Sequence, residues 1–166
     1  QSRFRREAVR YRIAAQRAVG NGIPVVNPDQ FASLPGRAAL RQLETEQREL
    51  ERRIAASPLG EVLRNLEAAR SDLDRIEFKL CFALEIMTTP EMRRETPRYQ
   101  RFVRHPDPEI NAIREKLLED FRRFYSLSDR IDAGEPARPL TNASAALASE
   151  VRKDCAAAAK LLVERG

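Results

Sequence analysis

Residues 58–88 read PLGEVLRNLEAARSDLDRIEFKLCFALEIMT, and the spacing of their apolar side chains decides the fold class. Leu59, Val62, Leu66, Ala69, Leu73, Ile76, Leu80, Ala83 and Met87 step alternately by three and four residues without a break. That is a heptad seam along one side of a helix, the pattern that favours left-handed packing against neighbouring helices. Ser57-Pro58 supplies the start, with a side-chain oxygen for the free amide groups and a ring already set to the helical φ. From Phe78 a second apolar row, Phe78, Phe82 and Ile86, appears on the opposite side. A helix apolar on two sides must be enclosed by neighbours. The spacing therefore predicts a long central helix over about 58–88, in a bundle with coiled-coil-like packing.

Pro and Gly punctuate the rest of the chain. Upstream, a first helix is expected over about 3–19, stopped by Gly20-Asn21-Gly22. Residues 20–35 carry Ile23, Val25, Val26, Phe31 and Leu34, too many apolar groups for a linker, and are read as a packed crossover. Within it Asn27-Pro28-Asp29-Gln30 has the form of a capped helical turn near 28–33. A second helix, about 36–56, carries Leu40, Leu43, Leu50 and Ile54 on one seam, which Gln47 interrupts. Downstream, residues 89–107 form a Pro-rich connection. Asp107-Pro108 opens a fourth helix over about 108–133, stopped by Gly134. Thr141 is the expected N-cap of the last helix, about 142–165, whose run Ala156 to Ala159 permits close helix contact. No strand-like alternation and no internal repeat occurs. The expected fold is all-α, a five-helix bundle forming a single helical domain over 1–166.

Composition removes several function classes. No apolar run approaches the roughly 18 residues that span a bilayer, and the densest stretch, Leu80 to Met87, is broken by Glu85. Two cysteines cannot build a disulfide scaffold, and one histidine cannot build a His-rich metal site. Cys81 and Cys155 are read as buried, inert thiols of a chain kept in a reducing intracellular compartment, the cytoplasm or an organellar matrix. The chain opens at Gln1 rather than Met, as expected of a piece of a longer or processed protein. Its Arg-rich first 19 residues have the bias of an organellar presequence, but such segments are normally removed, and we read them as structure.

Catalysis finds little support. His105, the lone histidine, sits in an Arg-His-Pro-Asp-Pro turn and is read as a solvated loop residue. No Glu stands three residues before it, so the Glu-x-x-His pairing of bundle metal sites is missing. Gly20-Asn21-Gly22 lacks the Lys and the third glycine of a phosphate loop. Asn142-Ala143-Ser144 matches a glycosylation acceptor, a three-residue pattern common by chance. The glutamates at 44, 46, 49 and 51 are expected to form intrahelical ion pairs, Glu44 with Arg48 and Glu49 with Arg53. The expectation is a non-enzymatic chain with no catalytic residue, no metal and no cofactor. Two polar residues stand on apolar arcs, Gln47 and Asp154, as candidates for buried polar pairing. A buried Asp is costly unless paired, so an Arg from another helix is expected beside Asp154.

Charge is concentrated in two places. Residues 1–20 contribute six Arg and one Glu, and residues 91–105 five Arg and two Glu, so the remainder is net acidic. On the first helix Arg3, Arg6, Arg10 and Arg17 fall within about 60° of one another. Phe4, Ala8, Tyr11, Ala15 and Val19 form an apolar face roughly opposite, and Val9 with Ile13 add a small apolar ridge beside the Arg stripe. In the second cluster Arg93, Arg94, Arg98, Arg101 and Arg104 interleave with Tyr99 and Phe102. These guanidinium forks suit carboxylate or phosphate. The expected function is protein–protein contact within a larger protein or assembly, with a protein partner or another copy. The alternative is RNA or another nucleic acid held by the two basic clusters, through pairing and stacking. An anionic membrane surface is a third candidate for the same charge.

Overall fold

The computed structural model describes the backbone of residues 2–83 and 107–165, and side chains over 3–76 and 107–165. These residues form five α-helices: α1 (Ser2–Val19), α2 (Ala38–Ala55), α3 (Pro58–Ala83), α4 (Pro108–Asp132) and α5 (Thr141–Arg165). Two 3-10 turns, Pro28–Phe31 and Arg138–Leu140, complete the elements, and no strand occurs among the described residues. The all-α architecture with five helices agrees with the periodicity. The expected continuation of the central helix through 84–88 and most of the Pro-rich connection lie outside the described residues, as do the side chains of Phe78, Cys81 and Phe82.

Local signals account for most of the boundaries. Asn27 accepts from the Asp29 amide at 3.0 Å, with Pro28 in the first position of the turn. Ser57 Oγ accepts from the Gly60 amide at 3.4 Å, and Asp107 Oδ1 from the Glu109 amide at 3.0 Å. Helix α4 ends in a Schellman motif. There the Gly134 amide donates to Ile131 O and the Glu135 amide to Arg130 O, at 3.0 and 3.1 Å. Gly134 takes φ +82°, a conformation that glycine adopts without penalty. Thr141 departs from its expected role. It has helical φ and ψ, and its hydroxyl donates back to Arg138 O, because the 3-10 turn at Arg138–Leu140 already leads the chain into α5. Helix α2 starts two residues later than expected, after Gly36 at φ +59°.

Contacts gather into two compact units. The first comprises residues 1–63 and 129–141. Its core is made by Ala8, Tyr11 and Ala18 of α1, Leu43 and Leu50 of α2, Leu59 and Val62 of α3, Ile131 of α4, and Ile23, Phe31, Ala137 and Leu140 between helices. Tyr11 is buried whole, with its hydroxyl accepting from the Val26 amide at 3.0 Å, so the crossover is fastened to α1. Asn21 performs a similar task. Its Nδ2 donates to Arg17 O and Glu135 O, and its Oδ1 accepts from the buried Ala137 amide at 2.7 Å. Asn21→Ala leaves that amide without an acceptor. The variant is expected to lose about 2 kcal/mol of unfolding free energy in urea titrations, the usual penalty for a buried donor left unmade.

The second unit comprises residues 64–128 and 142–166. Leu66, Ala69, Leu73 and Ile76 continue the α3 seam, buried at every position. Ile110, Leu117, Leu118, Phe121, Phe124 and Leu127 of α4 and Leu147, Val151 and Ala158 of α5 complete the core. Phe121 and Phe124 both pack against Tyr125, in a stacked and an edge-on arrangement. The polar intrusions here are Arg114, Asp120, Ser144 and Asp154.

Candidate functional site

Helix α1 divides by its own period. Ala8, Tyr11 and Ala18 point inward, while Val9 and Ile13, one turn apart, are each 54% exposed. At 100° per residue, Arg6, Arg10 and Arg17 run along one side of this ridge and Arg5 and Arg12 along the other. Four of the arginines of α1 reach acids on adjoining elements. Arg3 meets Glu44 at 3.3 Å, Arg10 meets Glu51 at 3.8 Å and Arg17 meets Asp132 at 2.7 Å, while Arg12 pairs with Asp29 of the 3-10 turn. Glu44 was expected to pair with Arg48 along α2; the structure gives it Arg3, whereas Glu49 and Arg53 do pair as expected, at 3.4 Å. Among the described residues Arg5 and Arg6 make no ion pair. These pairs are exposed, so each contributes at most about 1 kcal/mol and exchanges readily for another carboxylate.

The second basic cluster, Arg93, Arg94, Arg98, Tyr99, Arg101, Phe102 and Arg104, lies outside the described residues, as does His105.

The two polar residues singled out on apolar arcs are both buried, each with its own partners. Gln47 donates from Nε2 to Glu51 Oε1 at 2.9 Å, while its own Oε1 receives no hydrogen bond. Glu51 thereby joins Gln47 to Arg10. Asp154 is 4% exposed and faces Lys116 of α4, with Nζ 3.8 Å from Oδ1, rather than the expected arginine. Beside it stands Asp120, 2% exposed, a residue the sequence reading did not single out. Burial pushes the Asp120 carboxyl up to about 8, aided by its hydrogen bond to Asp154 and by the charges of Asp154 and Glu150, against the pull of Arg123. Asp120 is thus protonated at neutral pH and donates to Asp154, which faces the ammonium of Lys116. Its Oδ2 is buried with no donor directed at it, a costly state for an ionised oxygen.

A buried carboxyl with a raised proton affinity beside a second carboxyl is a pattern also used by acid–base catalysts. Here the neighbouring cleft of about 600 Å³ is lined by Glu119, Arg122, Arg123 and Glu150 over Leu127 and Leu147, and not by either buried carboxyl. Cys155, next in sequence to Asp154, donates to Asp72 O at 3.6 Å. Burial first, then the charges of Asp72, Asp120 and Asp154, push its thiol up to about 12, far from the thiolate range that nucleophiles need. No group of three or more His, Cys, Asp or Glu able to hold a metal occurs among the described residues, and no described helix is long and apolar enough to cross a membrane. No protein-family model matches the chain, and neither a curated protein nor a solved structure matches it.

Proposed function

We propose that the chain is a non-enzymatic helical module that binds another protein through the outward face of α1. The observation that carries this reading is the Val9–Ile13 ridge, two half-exposed aliphatic side chains one turn apart with arginines along both sides. An apolar centre rimmed by Arg is the composition that protein interfaces favour. The interleaved acids Glu51, Asp29 and Asp132 already meet three of those arginines, Arg10, Arg12 and Arg17, which supports a protein partner over a phosphate backbone that the same acids repel. A symmetric dimer would set one Arg-lined face against its copy, so the partner is a different chain. The 3-4 seam of α3 supports coiled-coil-like meshing as the way the module is built, and the free thiol of Cys155 suits a reducing intracellular compartment.

The test is a pull-down from the source cell with quantitative mass spectrometry, comparing the parent with a Val9→Glu/Ile13→Glu variant. Both positions are exposed, so the variant is expected to keep its helical circular dichroism and to lose its specific partner. Arg6→Glu/Arg10→Glu is expected to do the same. Equal recovery by parent and both variants would sink the reading. Filter retention of single-stranded RNA at low salt, with an affinity that falls steeply as salt rises, would replace it with a nucleic-acid role.

A further inference from the structure

Between the first turn of α1, the Pro28–Phe31 turn and the start of α2 lies a cleft of about 640 Å³. Arg3, Arg5 and Arg37 line it together with Phe4, Leu34 and Leu40. Asp29, the one acid in that lining, is already ion-paired to Arg12, and Arg3 is ion-paired to Glu44. Among the described residues Arg5 and Arg37 have no ion pair. The cleft therefore holds an excess of positive charge that nothing in the described chain neutralises. No side chain caps the start of α2, whose first residues also line the cleft, and this adds to the same potential. The apolar part matters equally. Leu34 is among the exposed large hydrophobic residues of the chain, and a bare phosphate backbone would leave it and Leu40 wet.

We propose that this cleft receives a segment of a partner protein in which carboxylates flank one bulky apolar side chain. The apolar group rests on Phe4, Leu34 and Leu40, and the carboxylates meet the guanidinium groups of Arg5 and Arg37, for which they are the planar complement. The proposal rests on the interaction role argued above and names the partner's chemistry, but its cleft is separate from the Val9–Ile13 ridge.

Short random peptides displayed on phage, panned on the full chain, test it. Enriched peptides are expected to carry Asp or Glu on both sides of Leu or Phe. They should bind an Arg5→Glu/Arg37→Glu variant at least about tenfold more weakly, the loss expected for one or two charge-assisted contacts. Affinity should also fall as salt rises. A Val9→Ser/Ile13→Ser variant keeps full peptide affinity, because the ridge side chains lie outside the cleft lining and the change adds no charge one turn from Arg5. No enrichment, enrichment of peptides without acids, or equal binding by the Arg5→Glu/Arg37→Glu variant overturns the cleft assignment. Partner loss through the ridge variant in the pull-down would then still stand, so the two readings fail separately. A labelled oligo(U) RNA that binds the parent tenfold more tightly than the Arg5→Glu/Arg37→Glu variant, where the acidic peptides do not, makes the cleft a phosphate site and also overturns the proposal.

Discussion

Gly20→Ala is expected to destabilise the protein by roughly 3 kcal/mol or more, at the upper end of what overpacking costs. An added Cβ at Gly20 would sit 1.6 Å from the carbonyl oxygen of Gly134 and 2.6 Å from its carbonyl carbon. Ordinary contact distances are roughly 3.5 Å, so one backbone must retreat by well over an ångström. Neither side yields easily. Gly134 is held in the Schellman turn that closes α4, and Asn21, the residue after Gly20, is tied to Glu135 O and the Ala137 amide. Retreat therefore breaks either the end of α4 or the Asn21 bridge. Gly22 is the control. It has φ +70° but nothing within 4 Å of an added Cβ, so Gly22→Ala meets only the left-handed backbone penalty of roughly 1–2 kcal/mol. Urea midpoints of the two variants decide the matter. A Gly20→Ala protein as stable as Gly22→Ala would show that the two backbones do not meet as described.

That contrast marks where sequence reasoning ends. Gly20-Asn21-Gly22 is legible as a helix stop because the signal is local. The reason Gly20 must be glycine is a backbone from the far end of α4, and no local pattern encodes it. The helices themselves were legible because a period of 3.6 imposes itself on every turn, and Asn27, Ser57 and Asp107 announce their turns through side chains only two or three residues from the amides they cap. Thr141 misled because a capping residue and a first helical residue have the same composition signature.

The polar sites follow the same division. On α4 the steps Ile110, Ile113, Leu117, Asp120, Phe124, Leu127 and Ile131 alternate three and four, so Asp120 stands on the seam as plainly as Asp154 does on its own. The signal lies in the period of the whole row, polar member included, and not in its apolar members alone. What no period supplies is the partner across the interface. Periodicity orients Asp154 inward, but the choice of Lys116 over an arginine, and of Glu44 for Arg3, depends on which helix lies alongside and in what register.

The buried carboxyls lead to the other large effect, a stability that falls as pH rises through the neutral range. In the unfolded chain Asp120 releases its proton at about its ordinary value of 3.8, whereas in the fold it holds it to about 8. Between those limits the folded state binds more protons than the unfolded one, so unfolding free energy declines with rising pH. The contribution is fully present below about pH 4, is lost progressively up to about 8, and is absent above. With roughly 1.4 kcal/mol per unit of proton-affinity difference as the ceiling, a loss of a few kcal/mol across the window is expected. Lys116 limits the loss by facing Asp154, and Arg123 by drawing on Asp120, whereas Glu150 adds to it. Cys155 stays protonated throughout, with its thiol up near 12. Asp120→Asn isolates the effect. The amide still donates to Asp154 but has no proton to lose. The variant is expected to match the parent within about 1 kcal/mol at pH 4 and to exceed it increasingly up to pH 8.5, where the parent must hold a second buried charge beside Asp154. Urea unfolding of both proteins from pH 4 to 9 gives the difference curve, in which groups common to the two cancel. A slope that survives in Asp120→Asn would place the titrating group elsewhere. A parent with no slope would mean that Asp120 and Asp154 are already both ionised in the fold, with Lys116 and Arg123 enough to hold them.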